Sequence, residues 1–258
     1  MIEIKNISKS YDGRRVIYDI NAVFETGKTN LVIGRSGSGK TVLLKNLIGL
    51  VTPDTGEILF DGRNLLTMSK KEILALRREM GLLFQGSALF DSMTVLENVM
   101  FPLEMFSRDT SREQINRAMM CLERVDLSKE SYHAFPSEIS GGMMKRAAIA
   151  RAIVLQPKYL FCDEPNSGLD PKTALIIDNL IHSITNEYGM TTVINTHDMN
   201  SVMNIGENIL FIKEGVKEWG GTKEQVIYSG NQALEDFIFA SELLRKAKEM
   251  EERRQQEG

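Results

Sequence analysis

The chain has 258 residues, 42% hydrophobic and 26% charged, with 20 Gly and 6 Pro; this excludes a collagen-like, low-complexity or disordered chain. The length suits one large domain, or a core domain with a sizeable insertion, better than a string of small modules. Lys and Arg number 31 against 35 Asp and Glu, a net charge of −4, so the chain lacks the positive field of a nucleic-acid binder.

The opening MIEIKN alternates like a strand and lacks the basic-then-apolar layout of a secretory signal. Short apolar runs predict strands at 2–4, 31–33, 58–60, 80–84, 160–162, 191–195 and 209–212. None approaches the ~18–20 apolar residues needed to cross a bilayer, so the expectation is a soluble, cytoplasmic chain. The strands ending near Ile33, Cys162 and Asn195 each lead through small or polar residues into a helical pattern. That alternation predicts a largely parallel sheet flanked by helices, with ligand bound beyond the carboxyl ends of the strands. Between 85 and about 156 the strand signal disappears, and Ile115, Met119, Leu122 and Val125 recur at helical spacing; this stretch reads as a helical insertion. From Asn231 the pattern is helical again, with Leu234, Phe237, Ile238 and Leu244 on one side, before the charge-dense KAKEMEERRQQEG, a frayed and solvated end. Cys121 and Cys162 lie in apolar settings, which suits buried thiols in a reducing compartment rather than a disulfide scaffold.

The run Gly34-Arg35-Ser36-Gly37-Ser38-Gly39-Lys40-Thr41 fits G-x-x-x-x-G-K-[ST], directly after the 31–33 strand and before the helical turn that starts at Val42. Glycines there let several N–H groups converge on one point, and the helix start adds partial positive charge. Residues Gly34 to Val42 are therefore the expected phosphate cradle for a polyphosphate, with Lys40 reaching its β- and γ-phosphates and the Thr41 hydroxyl ligating Mg²⁺. After the 160–162 strand come Asp163 and Glu164. A carboxylate there can hold the metal's shell and its neighbour can polarise an attacking water, so Asp163 takes the first role and Glu164 the second.

Ile139-Ser140-Gly141-Gly142-Met143 precedes the helical run MKRAAIARAI, where Ser140, Gly141 and Gly142 form a second anion cradle at a helix start, 23 residues before Asp163. With these motifs the chain resembles the ATP-binding cassette (ABC) ATPases, whose signature is LSGGQ, over nearly all of its length to about residue 230. The resemblance implies a P-loop NTPase fold: an ABC core over 1–230 with an antiparallel β region, a helical subdomain at about 86–155, and a helical extension at 231–258. It implies a head-to-tail homodimer in which the signature of one protomer closes over the nucleotide of the other. It also assigns Gln85 as the loop glutamine contacting Mg²⁺ or the lytic water, and Ser167-Gly168-Leu169-Asp170 as the D-loop, with Asp170 at the nucleotide. His197 becomes the switch histidine on the γ-phosphate, and Tyr11 the aromatic that stacks on adenine. His133 and His182 have no such context and read as structural.

Two positions depart from the family: Ile139 replaces Leu, and Met143 replaces a Gln whose amide could hydrogen-bond where a thioether cannot donate. The change is either a packing variant or a mark of the MCE-type phospholipid transport cassettes, which SGGM followed by a basic pair and an Ala-rich helix resembles. The function implied is ATP hydrolysis powering a separate integral membrane permease from the inner face of the cell membrane, with phospholipid or another lipid as cargo. An MCE-type lipid-binding protein and a small cytoplasmic regulator are further implied partners; nucleic acid is not. The alternatives are a cassette serving small-solute or efflux transport, or a soluble, non-transport ABC protein. Against the last, Lys40 and Ser140 lie only 100 positions apart, too close for the long coiled coil of DNA-repair relatives. Phe90, Leu96 and Met100 are candidate apolar contacts for a permease loop. Phe237 and Ile238 are apolar groups without an assured place in the core, which suits docking of the extension on a partner.

Overall fold

A computed structural model describes residues 1–226 and 228–238. The chain opens with β1 (Ile2–Tyr11) and β2 (Arg14–Phe24), antiparallel and joined through Asp12-Gly13 with both residues at positive φ, the turn chemistry that matches strand twist. β2 is absent from the expectation for a physical reason. Bulges break the β1–β2 register at three places, so the buried Ile17, Ile20 and Phe24 do not alternate with period two. β3 (Thr29–Ile33) follows, then α1 (Lys40–Leu47), β4 (Thr55–Phe60), β5 (Arg63–Asn64), α2 (Lys70–Arg78) and β6 (Met80–Leu83). Three longer helices come next, α3 (Val95–Phe106), α4 (Ser111–Arg124) and α5 (Gly141–Ile153). The remaining described elements are β7 (Tyr159–Asp163), α6 (Pro171–Tyr188), β8 (Thr191–Thr196), α7 (Met199–Ile205), β9 (Asn208–Lys213), β10 (Val216–Gly221), α8 (Lys223–Val226) and α9 (Gln232–Ile238).

Two sheets result. One is antiparallel, in the order β2-β1-β4-β5; the other runs β10-β9-β3-β8-β7-β6 and is parallel except for β10. Alternation along the parallel strands builds the two cores. Leu31, Ile33, Leu160, Cys162, Ile194 and Phe211 face one side and pack with α3 to α7. Val32, Tyr159, Phe161, Val193, Leu210 and Ile212 face α1 and the antiparallel sheet. Burial on both faces explains why these strands read as continuous apolar runs.

The stretch expected to be helical carries α3, α4 and α5 and no described strand. Reciprocal caps start two of them: Thr94 with Glu97, and Thr110 with Glu113. α9 differs from the expectation of an extension lacking its own core. Leu234 and Ile238 are buried, and the Phe237 ring stacks on Phe211 with centroids 5.3 Å apart, so this apolar face is covered by the chain's own β9. Leu244 and the KAKEMEERRQQEG tail lie outside the described residues. Cys162 is fully buried and Cys121 partly so; burial pushes the Cys121 thiol up to about 11 and that of Cys162 higher still. Among the described residues no helix is long and apolar enough to cross a membrane.

Candidate functional site

The parallel strands point their carboxyl ends at one rim. β3 empties into Gly34, where the backbone passes so close to β9 that a Cβ would lie 2.2 Å from the Ile212 carbonyl oxygen. At Gly39, with φ 107°, a Cβ would sit 2.6 Å from Ile17 Cγ2. Only glycine fits either place. The loop is closed by the Ser38 N–H donating to the Arg35 carbonyl (3.1 Å) and the Gly215 N–H donating to that of Ser38 (3.1 Å). Gly39 caps α1 without a side chain, and no acidic residue occupies the first turn, so the helix N–H groups are left for an anion.

Lys40 is buried, and its ammonium donates to the carbonyls of Gly34 (2.8 Å) and Arg35 (3.1 Å). Burial pushes its pKa down, while Glu164 and Asp163 pull the other way. That places both carboxylates within electrostatic reach of the loop. Ser38 Oγ is buried without a partner among the described residues, Arg35, Ser36 and Gly37 are exposed, Thr41 is exposed, and the Val42 side chain packs against the core. A contact from Val42 to phosphate therefore falls to its main chain.

On the acidic side, β7 ends at Asp163, whose Oδ1 accepts from Asn195 Nδ2 at 3.0 Å; the Asn195 carbonyl accepts from the Glu164 N–H at 3.0 Å. One β8 residue thus sets both acids. Its signal in the sequence is an amide residue directly after the apolar pair Val193-Ile194 and two positions before His197. Glu164 sits at φ 48°, a left-handed backbone that a non-glycine residue adopts only under constraint. Its Oε1 lies 2.9 Å from His197 Nδ1. The Gln85 amide donates to Ser167 Oγ at 3.0 Å, which brings the loop after β6 onto the D-loop. Asp170 caps α6, its carboxylate accepting from the Lys172 and Thr173 N–H groups and the Thr173 hydroxyl, and it lines the same cleft as Ser140, Gly141 and Gly142.

Ser140 caps α5, its Oγ accepting from the Met143 N–H at 3.3 Å. Gly142 packs so tightly that a Cβ would sit 2.8 Å from Thr173 Cγ2. Met143 lies half-buried against the core. Some of the site residues line three separate clefts. Ser140, Gly141 and Gly142 open onto one with Asp126, Gly168 and Asp170; Arg35 to Ser38 line another with Phe211 and Phe237; Glu164, Ser167 and His197 line a third. The phosphate-loop cleft and the signature cleft share no lining residue. Tyr11 stands exposed at the end of β1, with the Lys9 ammonium 5.5 Å from its ring centroid.

For Mg²⁺, the described residues hold no group of three or more His, Cys, Asp or Glu. Thr41, Gln85 and Asp163 offer a hydroxyl, an amide oxygen and one carboxylate, an all-oxygen set that suits a metal completed by water and phosphate oxygens. His133 is exposed, and His182 packs with Thr29 and Glu207, both apart from these clefts. Of the candidate permease contacts, Phe90 is exposed, Met100 is half-buried, and Leu96 is buried in the core and unavailable.

Residues 17–167 match the family profile described as ABC transporter. The chain is 38% identical over 239 residues to the probable ribonucleotide transport ATP-binding protein mkl of Mycobacterium leprae, covering 92% of this chain and 68% of that protein. It is 37% identical to the intermembrane phospholipid transport system ATP-binding protein MlaF of Haemophilus influenzae, covering 92% and 90%. Among solved structures, it resembles the dimeric post-hydrolysis state of the ATP-binding cassette MJ0796 bound to ADP and Pi, with a TM-score of 0.79 and 32% identity over 86% of this chain and 99% of that one.

Proposed function

Because the chain belongs to the ABC transporter family, we propose that it powers a separate membrane permease that moves phospholipid or another lipid. It is an ATPase of the P-loop ABC fold and uses ATP with Mg²⁺. In the proposed reaction, the loop N–H groups and Lys40 hold the triphosphate, and Tyr11 stacks on adenine. Glu164 accepts a proton from the water that attacks the γ-phosphoryl group, while His197, 2.9 Å from Glu164, orients that carboxylate and the water. Thr41, Gln85 and Asp163 would hold Mg²⁺, which when bound neutralises charge on the phosphate oxygens. The Glu164–His197 pair, with Glu164 within electrostatic reach of Lys40, is the observation that carries this reading.

The signature enters from outside. The exposed Ser140 and Gly141 open onto a cleft with Gly168 and Asp170 of the D-loop, which supports a head-to-tail dimer with two shared sites. Lipid as cargo is supported by the SGGM signature with its basic pair and by 37% identity to MlaF over 90% of that protein. An MCE-type protein and a small regulator go with that reading, as does a place at the inner face of the cell membrane. The mkl relative favours the alternative, a cassette for a different solute.

The test is purification of the chain with its membrane partner, followed by ATPase assays in nanodiscs with and without added phospholipid. Lipid carried through purification, together with phospholipid-dependent turnover, is expected. A rate that answers only to a soluble solute would overturn the lipid assignment and leave the ATPase in place.

A further inference from the structure

α5 does more than begin with the signature. One turn into it stands Lys145, only 4% exposed, whose ammonium donates to the main-chain carbonyl of Gln85. Two turns further, Arg151 donates through Nη1 to the Ala88 carbonyl (2.7 Å) and through Nη2 to that of Ser87 (2.8 Å). Six residues apart, the two side chains leave different flanks of the helix and converge on one loop. Neither cation forms an ion pair with a carboxylate among the described residues. A buried cation without a counter-ion is costly unless its hydrogen bonds serve a purpose, and burial lowers the pKa of both groups.

The loop they hold needs holding. Ser87 and Ala88 both adopt positive φ, 62° and 50°, a conformation that side chains rarely take in succession. Within the loop the Ser87 N–H donates to the Phe84 carbonyl at 2.9 Å. At the head of this loop the Gln85 amide reaches Ser167 Oγ at 3.0 Å. The direction of that amide depends on where the Gln85 carbonyl is tied, since both leave the same residue.

We propose that Lys145 is a positioning residue for Gln85: from the signature helix it fixes the Gln85 carbonyl, Arg151 fixes the next two, and the amide is thereby aimed at the reaction centre. The inference rests on the reading of Gln85 as a contact to metal or water. It makes a displacement of the Ser140 end of α5 felt at Gln85 of the same chain.

The experiment uses the full chain and four variants: Lys145→Met, which keeps the stem and removes the donor; Lys145→Arg, which keeps it; Gln85→Ala as reference; and the Lys145→Met/Gln85→Ala double. Readouts are kcat, KM for ATP, the Mg²⁺ concentration for half-maximal rate, and hydrogen exchange of the 84–91 segment. Lys145→Met is expected to lower kcat about 10-fold or more and to raise the Mg²⁺ requirement several-fold, as loss of a ligand's supporting contact does. KM for ATP should stay within about 2-fold, exchange in 84–91 should accelerate, and Lys145→Arg should restore each value. The double variant should match Gln85→Ala alone, because the two residues act as a unit. If Lys145→Met fails to fold, Lys145→Gln, a neutral donor expected to keep more than half the rate, takes its place beside Lys145→Ala. Unchanged kcat and Mg²⁺ dependence in Lys145→Met, with Gln85→Ala impaired, would overturn the positioning role and leave the reading of Gln85 intact. An unimpaired Gln85→Ala overturns both.

Discussion

The phosphate loop and the signature offer the same chemistry, glycines at a helix start, yet they are held in opposite ways. Residues 34–39 hang from β3, which has β8 on one side and β9 on the other, and the backbone itself is the constraint: at Gly34 there is no room for one carbon beside Ile212. The signature starts a helix of the α3 to α5 segment, where Ser140 caps α5 and side chains tie it to its surroundings, Lys145 to Gln85 and Arg151 to Ala88. Backbone constraint gives a cradle preorganised before any ligand arrives. Side-chain ties can be remade, which suits a surface that must close on another chain and later release it.

The largest effect expected tests whether chemistry belongs with the rigid half. Glu164→Gln keeps a polar group beside His197 but removes the carboxylate that accepts the proton, so hydrolysis should fall by about 10²- to 10⁴-fold. ATP affinity should change little, because the cradle is built from other residues. Single-turnover hydrolysis with a parallel binding assay separates the two, and a rate near that of the natural chain would remove Glu164 as the base.

Next in size is a contrast between two glycines. Gly34→Ala forces a Cβ to 2.2 Å from the Ile212 carbonyl oxygen, a backbone atom that cannot swing aside. Overpacking and strain together should cost about 2–4 kcal/mol of stability and abolish tight ATP binding. At Gly141 a Cβ would meet only Leu169 Cδ2, at 3.8 Å, an ordinary contact. Gly141→Ala should therefore fold within about 0.5 kcal/mol of the natural chain, and any loss should appear in dimer-dependent hydrolysis. Denaturation midpoints check both. Equal destabilisation would erase the distinction between the two cradles.

That distinction also governs what could be read before the structure. Motifs whose chemistry sits in consecutive backbone atoms, such as 34–41, are visible because spacing alone encodes them. The parallel strands are visible because burial on both faces gives each a short continuous apolar run. β2 was hidden by bulges, and β10 by its exposure, since none of its residues is buried. Ties made by long side chains across the fold leave no local pattern: Lys145 stands 60 positions from Gln85, and Arg151 63 from Ala88.

The smallest effect probes the seam between the two regions. Asp178 on α6 is 2% exposed, and its Oδ1 accepts from Asn166 Nδ2 at 2.7 Å, just behind the D-loop; the same amide reaches Ser201 Oγ on α7 at 3.1 Å. Burial raises its carboxyl pKa to about 6, with Asp198 adding to the rise and the hydrogen bonds of Ser201 and Asn166 opposing it. Between the ordinary value of 3.8 and about 6, the folded chain holds a proton that the unfolded chain has released. Stability from this group is therefore fully present below pH 4, falls as pH rises through that window, and is constant above it. Asp178→Asn keeps an acceptor and removes the charge. Relative to the natural chain it should gain on the order of 2 kcal/mol at pH 7.5 and nothing at pH 4. Denaturation midpoints at the two pH values measure the difference. A variant that is equally destabilised at both would show that the ionised carboxylate is what the Asn166 amide requires, and that the D-loop is anchored by charge rather than by shape.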